Sequence, residues 1–251
     1  MEGPDSPATR RALLGGIGTV AVGGGVVYGA SRLDGDSSDG STSNESSGAG
    51  FHSSSKTTGF GIELGGHPIL GAKDAPVDVY YWSDYQCPFC RRFEGGAFPK
   101  LIENHVEEGT VRFVFIQFPY LSDASTTAAV MDRCVWRQVR DANPDRYLDW
   151  HSAVFEAQGE KGSGWASREN LLEITAGVEG VDANAVETCM DDHGTEIEAE
   201  IETDVQQASR FGIRGTPAFV LYNRDADKAG KLVGAQPYER FDEAISRVRN
   251  A

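Results

Sequence analysis

A strongly apolar run, Val77-Asp-Val-Tyr-Tyr-Trp-Ser83, leads straight into Asp84-Tyr-Gln-Cys87-Pro-Phe-Cys90. Such a run bounded by turn residues predicts a buried strand, and Pro88 suits the first turn of a following helix, where its missing N–H has no intrahelical partner. Far downstream, Phe211-Gly-Ile-Arg-Gly-Thr-Pro-Ala-Phe-Val220 sets Pro217 just before a second apolar strand. A Cys-x-x-Cys pair alone is weak evidence, because such pairs also hold zinc. The strand before it, the helical pattern after it and the distant Gly-Thr-Pro make a strand–dithiol–helix unit facing a proline loop the most constraining reading.

The chain is long enough for one domain of ordinary size plus extra segments. Its formal charge is −15 and its pI near 4.7, with six lysines and seventeen arginines against thirty-eight acids. The acids are spread along the sequence, and no basic patch is available to neutralise phosphates, which disfavours nucleic acid as a partner. A merely acidic soluble surface is one explanation. Adaptation to high salt is the sharper one, since dense carboxylates repel one another unless screened.

Residues 1–31 are expected to lie outside the fold. Thr9-Arg10-Arg11-Ala12-Leu13-Leu14 opens an uncharged, Gly-rich apolar run from Ala12 to Ser31, similar to a twin-arginine export signal. Twenty uncharged residues can span a bilayer, and Tyr28 spoils a clean small-x-small cleavage site, which favours an uncleaved membrane anchor over a removed signal. Residues 32–60 are mostly Ser, Gly, Asp, Asn and Thr and are expected to form a disordered linker. The folded domain is expected over 61–251.

Within it, helical spacing over Pro88–Glu107 is interrupted by Gly95-Gly96 and Pro99, and Val111–Phe118 predicts a second strand. Helical patterns follow at Ala124–Asp141, Pro144–Ala157, Ser167–Ala176, Ala183–His193 and Glu196–Phe211. Strands at Ala218–Tyr222 and Lys231–Val233 and a helix at Tyr238–Val248 close the chain. The order βαβ, helical block, ββα predicts an α/β thioredoxin-like fold with a helical domain inserted at about 122–211.

His67-Pro-Ile-Leu-Gly-Ala-Lys-Asp-Ala-Pro-Val77, the Cys87–Cys90 segment, Arg214-Gly-Thr-Pro-Ala-Phe219 and Val233-Gly-Ala-Gln-Pro-Tyr238 resemble the DsbA-like thioredoxin-fold family over about residues 62–250. The resemblance implies a thiol–disulfide oxidoreductase that works outside the cytoplasm without a cofactor. Its partners would be exported proteins bearing thiols and a membrane redox partner that regenerates the pair. It also implies a cis bond before Pro217, with Thr216 presenting its backbone to the partner chain. A reductase or isomerase, and a non-catalytic peptide- or metal-partner-binding module, are the alternatives.

From the residues themselves, Cys87 is the expected attacking sulfur, because a helix start favours the thiolate. Cys90, one turn on, is placed to resolve the mixed disulfide. Phe89 stands where some strongly oxidising relatives carry histidine, which implies a less oxidising pair, and it is expected with Tyr85 to line an apolar groove. Tyr81 stands where many relatives carry an acid. Asp84 is the nearest acid in sequence, with its side chain expected to face solvent or to influence the cysteine pair. Cys134 and Cys189 are too far apart in sequence to suggest a four-thiolate zinc site. In an exported protein they point to a structural disulfide, a pairing some relatives have, with two buried free thiols as the alternative. The five histidines show no ligand spacing, and no metal is expected.

The charge yields a test. At about 1 M salt the Debye length is about 3 Å, against about 10 Å at 0.1 M, and excluded salt also strengthens apolar burial. The melting temperature should rise steeply from low to molar chloride. A flat or falling profile would sink the salt-adaptation reading.

Overall fold

The computed structural model describes residues 49–57 and 61–251. The twin-arginine motif, the apolar run 12–31 and the linker as far as residue 48 lie outside those residues. No helix among the described residues is long and apolar enough to cross a membrane.

The centre is a pair of parallel strands, β3 (Val77–Ser83) and β4 (Val111–Gln117), in register from Val77 opposite Val111 to Ser83 opposite Gln117. Antiparallel β5 (Ala218–Asn223) and β6 (Lys228–Val233) extend the sheet on one side, β2 (Ile69–Leu70) and β1 (Phe51–His52) on the other, in the order β1-β2-β4-β3-β5-β6. Both central strands are buried along their whole length, as parallel strands covered on two faces must be. Alternation splits them cleanly. Val79, Tyr81, Phe113, Phe115, Phe219 and Leu221 pack on one face with the main helical core. Tyr80, Trp82, Val114, Ile116 and Val220 pack on the other, under Ile62, Leu64 and Ala208.

The crossover from β3 to β4 is α1 (Pro88–Glu94), α2 (Ala97–Leu101) and a π-helical turn at Ile102–Val106. The break falls at Gly95-Gly96, where a Cβ on Gly96 would sit 2.7 Å from the Arg92 carbonyl oxygen. Pro99 does not interrupt the path as expected. It lies in the first turn of α2, where its absent N–H is not needed.

Between β4 and β5 come α3 (Asp123–Val139), α4 (Arg146–Glu156), α5 (Arg168–Ala176) and α6 (Ala183–Arg210), and α7 (Tyr238–Arg249) ends the chain. The helical insert thus separates the two halves of the thioredoxin-like sheet. Two separate helices were expected over 183–211. They are one 28-residue helix, capped by the Asp182 carboxylate on the N–H groups of Asn184 and Ala185. Gly194 lies within it with open space where its Cβ would be, so the helix runs through the glycine on the strength of packing on both sides.

Phe51–His52, inside the span 32–60 expected as linker, form β1 instead. Phe51 is buried, with ring centroids 5.3 Å from Tyr147 and 5.7 Å from Phe115. Burying one such ring is worth about 2–3 kcal/mol, enough to hold β1 on the sheet edge although its neighbours are polar.

Two devices fasten the insert. Asp204 on α6 pairs with Arg133 on α3 at 2.5 Å and with His67, ahead of β2, at 3.3 Å. Burial opposes ionisation of Asp204, but the charges and hydrogen bonds of His67 and Arg133 prevail and hold its carboxyl below the usual range. The other device is a disulfide between Cys134 on α3 and Cys189 on α6, with Cα atoms 5.7 Å apart and 55 positions between them in sequence. Each sulfur has the other as its partner, so neither is left as a metal ligand. In the chain-entropy account, closing such a loop stabilises by about 4 kcal/mol. Replacing both cysteines by serine should lower denaturant stability by roughly that amount and leave the Cys87–Cys90 chemistry intact; two alkylatable thiols at 134 and 189 in the native protein would refute the bridge.

Candidate active site

Cys87 occupies the position just before α1, with extended backbone (φ −83°, ψ 116°) and Pro88 as the first helical residue. Its N–H donates to the Asp84 carbonyl oxygen at 2.9 Å. Cys90, in the next turn, is fully buried, and both cysteines are free thiols. The peptide bond Thr216–Pro217 is cis, and the loop carrying it lies against the dithiol: Cys87 Sγ donates to the Thr216 carbonyl oxygen at 3.3 Å. The structure therefore brings together Cys87, Cys90, Thr216 and Pro217. Phe89 lies beside them, 49% exposed, with the Arg92 guanidinium 5.1 Å from its ring.

Other residues depart from the sequence reading. Tyr85 does not line a groove; it is buried, its ring packed on Trp150, His151 and Phe155. Asp84 does not face solvent. It is buried and accepts hydrogen bonds from the N–H groups of Gln86 at 2.9 Å and Tyr120 at 3.2 Å. Burial raises its carboxyl above the usual range although those N–H donors oppose the shift. Its role here is to tie the dithiol turn to the chain leaving β4.

Sequence spacing did not expose Gln158. Its Nε2 donates to the carbonyl oxygens of Tyr85 (2.5 Å) and Cys87 (3.2 Å), while Arg91 Nη1 donates to its own carbonyl oxygen at 2.8 Å. The insert thus grips the residues just ahead of α1. Gln86 is held similarly by Ser122 and Ser125. The one available signal was position: Gln158 immediately precedes the glycine-rich break at 159–164. Tyr120 and Val233 were also missed. Together with Phe89 they are the exposed large hydrophobic residues among those described. Val233 pairs with Ala218, next to Pro217, and a Cβ on Gly215 would lie 3.5 Å from the Tyr120 hydroxyl.

A thioredoxin family model matches residues 63–247. Disulfide bond formation protein D of Bacillus subtilis (strain 168) is 27% identical over 159 residues, covering 63% of this chain and 69% of that one. The chain belongs to the DsbA-like thioredoxin family. The crystal structure of oxidised BdbD from Bacillus subtilis superposes with a TM-score of 0.62 at 26% identity, covering 74% of this chain and 94% of that one. The alpha-DsbA1 of Wolbachia pipientis, 23% identical, shares the fold with a TM-score of 0.62 over 73% of this chain and 91% of its own.

The two sulfurs of this DsbA-like site are unequal. The Cys90 thiol hydrogen-bonds the Cys87 sulfur and is the largest influence lowering the Cys87 pKa, to about 6. Burial opposes that shift; Thr216 and the N–H groups of Cys90 and Phe89 add to it. The Thr216 hydroxyl is buried with no hydrogen-bond partner among the described residues, which leaves its proton available to the thiolate. Burial pushes Cys90 well above the ordinary thiol range, and its bond to the Cys87 sulfur pushes it further. The arrangement stabilises negative charge on one sulfur only, as directional thiol exchange requires.

Titration of the reduced protein should show one thiolate with a midpoint near 6, absent in Cys87→Ser. Cys90→Ala removes the leading donor and should move the midpoint up. A wild-type midpoint near the free-thiol value of about 8.5 would contradict this electrostatic account.

Proposed function

We propose that this DsbA-like thiol–disulfide oxidoreductase works as an oxidant of exported proteins, with Cys87 as the sulfur that substrates attack. The observation that carries the reading is the asymmetry of the pair: a thiolate stabilised at Cys87 favours the reduced form, which makes the disulfide a better oxidant. A substrate thiolate attacks Cys87 Sγ of the Cys87–Cys90 disulfide, and Cys90 departs. A second substrate thiolate then attacks the substrate's own sulfur in the mixed disulfide, and Cys87 leaves as the thiolate. The substrate gains a disulfide and the enzyme retains two electrons as its dithiol, which a membrane redox partner removes.

Thr216, beside cis Pro217, supports the reading that an extended substrate pairs with this loop. Phe89, Tyr120 and Val233 would form the apolar rim that receives unfolded chains, which expose hydrophobic side chains. The site would work outside the cytoplasm, delivered by the twin-arginine segment and held at the membrane by residues 12–31. The acidic surface would suit it to concentrated salt.

The reductase and isomerase readings would both need electrons delivered to the pair, and the reductase reading also differs in potential. Phe89 in place of histidine supports a value between the strongly oxidising DsbA limit, about −120 mV, and thioredoxin, about −270 mV. Equilibration with glutathione should place the Cys87–Cys90 pair inside that interval, and a potential at or below the thioredoxin value would overturn the oxidant assignment. In parallel, Cys90→Ser should accumulate mixed disulfides through Cys87 with exported proteins. Accumulation chiefly through Cys90 in Cys87→Ser would reverse the roles of the two sulfurs.

A further inference from the structure

Beneath the dithiol lies a buried polar cluster that the exchange steps above do not use. Asp132 on α3 accepts three hydrogen bonds at one oxygen, from Tyr85 Oη (2.6 Å), Tyr147 Oη (2.7 Å) and Gln117 Nε2 (3.1 Å). Burial, followed by the Asp132 charge, drives both phenols well above their ordinary pKa, so both keep their protons. Tyr85 has one proton and directs it to Asp132. Its oxygen must therefore accept from His151, whose Nδ1 is 2.7 Å away. That contact sets the tautomer, with Nδ1 protonated.

The other ring nitrogen, His151 Nε2, faces Glu94 Oε1 at 3.1 Å. A bare nitrogen lone pair and a carboxylate would repel at this distance, so one proton belongs in the gap, whether written as imidazolium–carboxylate or imidazole–carboxylic acid. The His151 side chain is fully buried and that of Glu94 is 9% exposed.

Two features connect this proton to Cys90. Glu94 is four residues beyond Cys90 on α1, and residues so spaced share a helix face with Cβ atoms roughly 5–6 Å apart. Tyr81 on β3 senses both groups: burial first, then the Glu94 and Cys90 charges, push its phenol well above the ordinary range. On its outer side Glu94 lines a cavity of about 480 Å³ walled by Phe98, Ile102, Leu148 and Phe155. The pair thus stands between a sealed sulfur and a cavity at the surface.

We propose that the Glu94–His151 pair is the proton donor and acceptor of Cys90, with the cavity as the route to solvent. The proposal rests on the assignment of Cys87 as the attacked sulfur. When a substrate thiolate attacks Cys87, the Cys87–Cys90 bond breaks and its electron pair leaves on Cys90. A thiolate there is fully buried, and the stored proton converts it to the thiol. In the reverse step the pair removes the proton from Cys90, whose sulfur then attacks Cys87 and expels the substrate thiolate. His151 is a positioning residue: it holds the proton on Glu94 and is itself held by Tyr85 and Asp132. The other charged groups facing the pair are Arg91 on α1, which donates to the carbonyl oxygens of Gln158 and Glu156, and the Glu156 carboxylate at the cavity rim. Arg91 is thereby directed at backbone oxygens, leaving His151 as the partner of Glu94.

The test uses the reduced full chain and a nitrobenzoate disulfide that releases a coloured thiolate at each step. The first release reports attack by Cys87, and the second reports attack by Cys90 on the mixed disulfide. Glu94→Gln should slow the second release about tenfold or more at neutral pH, within the range for general acid–base catalysis. It should also make that release climb in proportion to hydroxide, with the first release unchanged. Glu94→Asp should restore the wild-type pH profile in part. His151→Phe keeps ring packing on Phe115 and Phe155, removes both nitrogens and serves as the second variant if Glu94→Gln does not fold; it should shift the same profile. A second release with wild-type rate and pH profile in a folded variant would overturn the proposal, as would equal slowing of both releases. Failure of the underlying assignment looks different: Cys87→Ser would then retain the first release.

Discussion

The 3.3 Å contact between Cys87 Sγ and the Thr216 carbonyl oxygen joins segments 129 positions apart in sequence, and much of the architecture serves to hold its two sides in place. On one side, β3 delivers the chain to the start of α1, where the Asp84 carboxylate and Gln158 fix the turn. On the other, β5 pairs with β3 from Trp82 opposite Ala218 onward, so the loop before β5 ends beside the loop after β3. Adjacent antiparallel strands thus place the proline loop over the dithiol. The helical insert connects β4 to β5, the two strands that flank β3 on either side, so both of its ends meet the sheet next to the strand that carries the dithiol.

The insert is more than an ornament on that sheet. It supplies Gln158 to the dithiol turn, Ser122 and Ser125 to Gln86, and Asp132 and His151 to the buried cluster. Its helices must therefore be fixed as firmly as the strands. The Cys134–Cys189 bridge restrains the α3–α6 pair covalently, while Asp204 ties α6 to Arg133 and to His67 near the sheet edge. Breaking a buried charge pair by removing one partner typically costs about 3–5 kcal/mol. The triad thus couples loss of insert docking to loss of site geometry.

The sheet, the order of its halves and the dithiol were legible because local signals coincided: alternating apolar residues, a proline at a helix start and glycines at breaks. What escaped depended on long-range partners. Phe51 lies among serines and glycines, and Tyr147, Phe115 and Trp136, far along the chain, make it a core residue. Asp84 carries no mark in sequence of the two backbone donors that draw it inward. Gly194 resembled a boundary because intrinsic helix propensity is lowest there, apart from proline, yet tertiary packing on the flanking turns carries α6 through it. Gln158, Tyr120 and Val233 belong to the site by placement alone, and no spacing rule links them to Cys87.

One apparent conflict between the two strongest sequence features disappears at this level. A chain of charge −15 sets a negative background potential that opposes formation of another anion, yet the surroundings of Cys87 lower its pKa to about 6. Surface carboxylates act through water and ions, and screening removes their influence beyond about 10 Å at 0.1 M salt. The groups that lower the Cys87 pKa are the Cys90 thiol, Thr216 and the backbone N–H groups of Cys90 and Phe89, all of them local to the sulfur. Such short contacts are little affected by mobile ions, because no ion can enter between the partners. Surface charge can therefore follow the salinity of the surroundings while the sulfur chemistry is set by a few fixed dipoles. On this physical account, acidic composition and thiolate chemistry are independent.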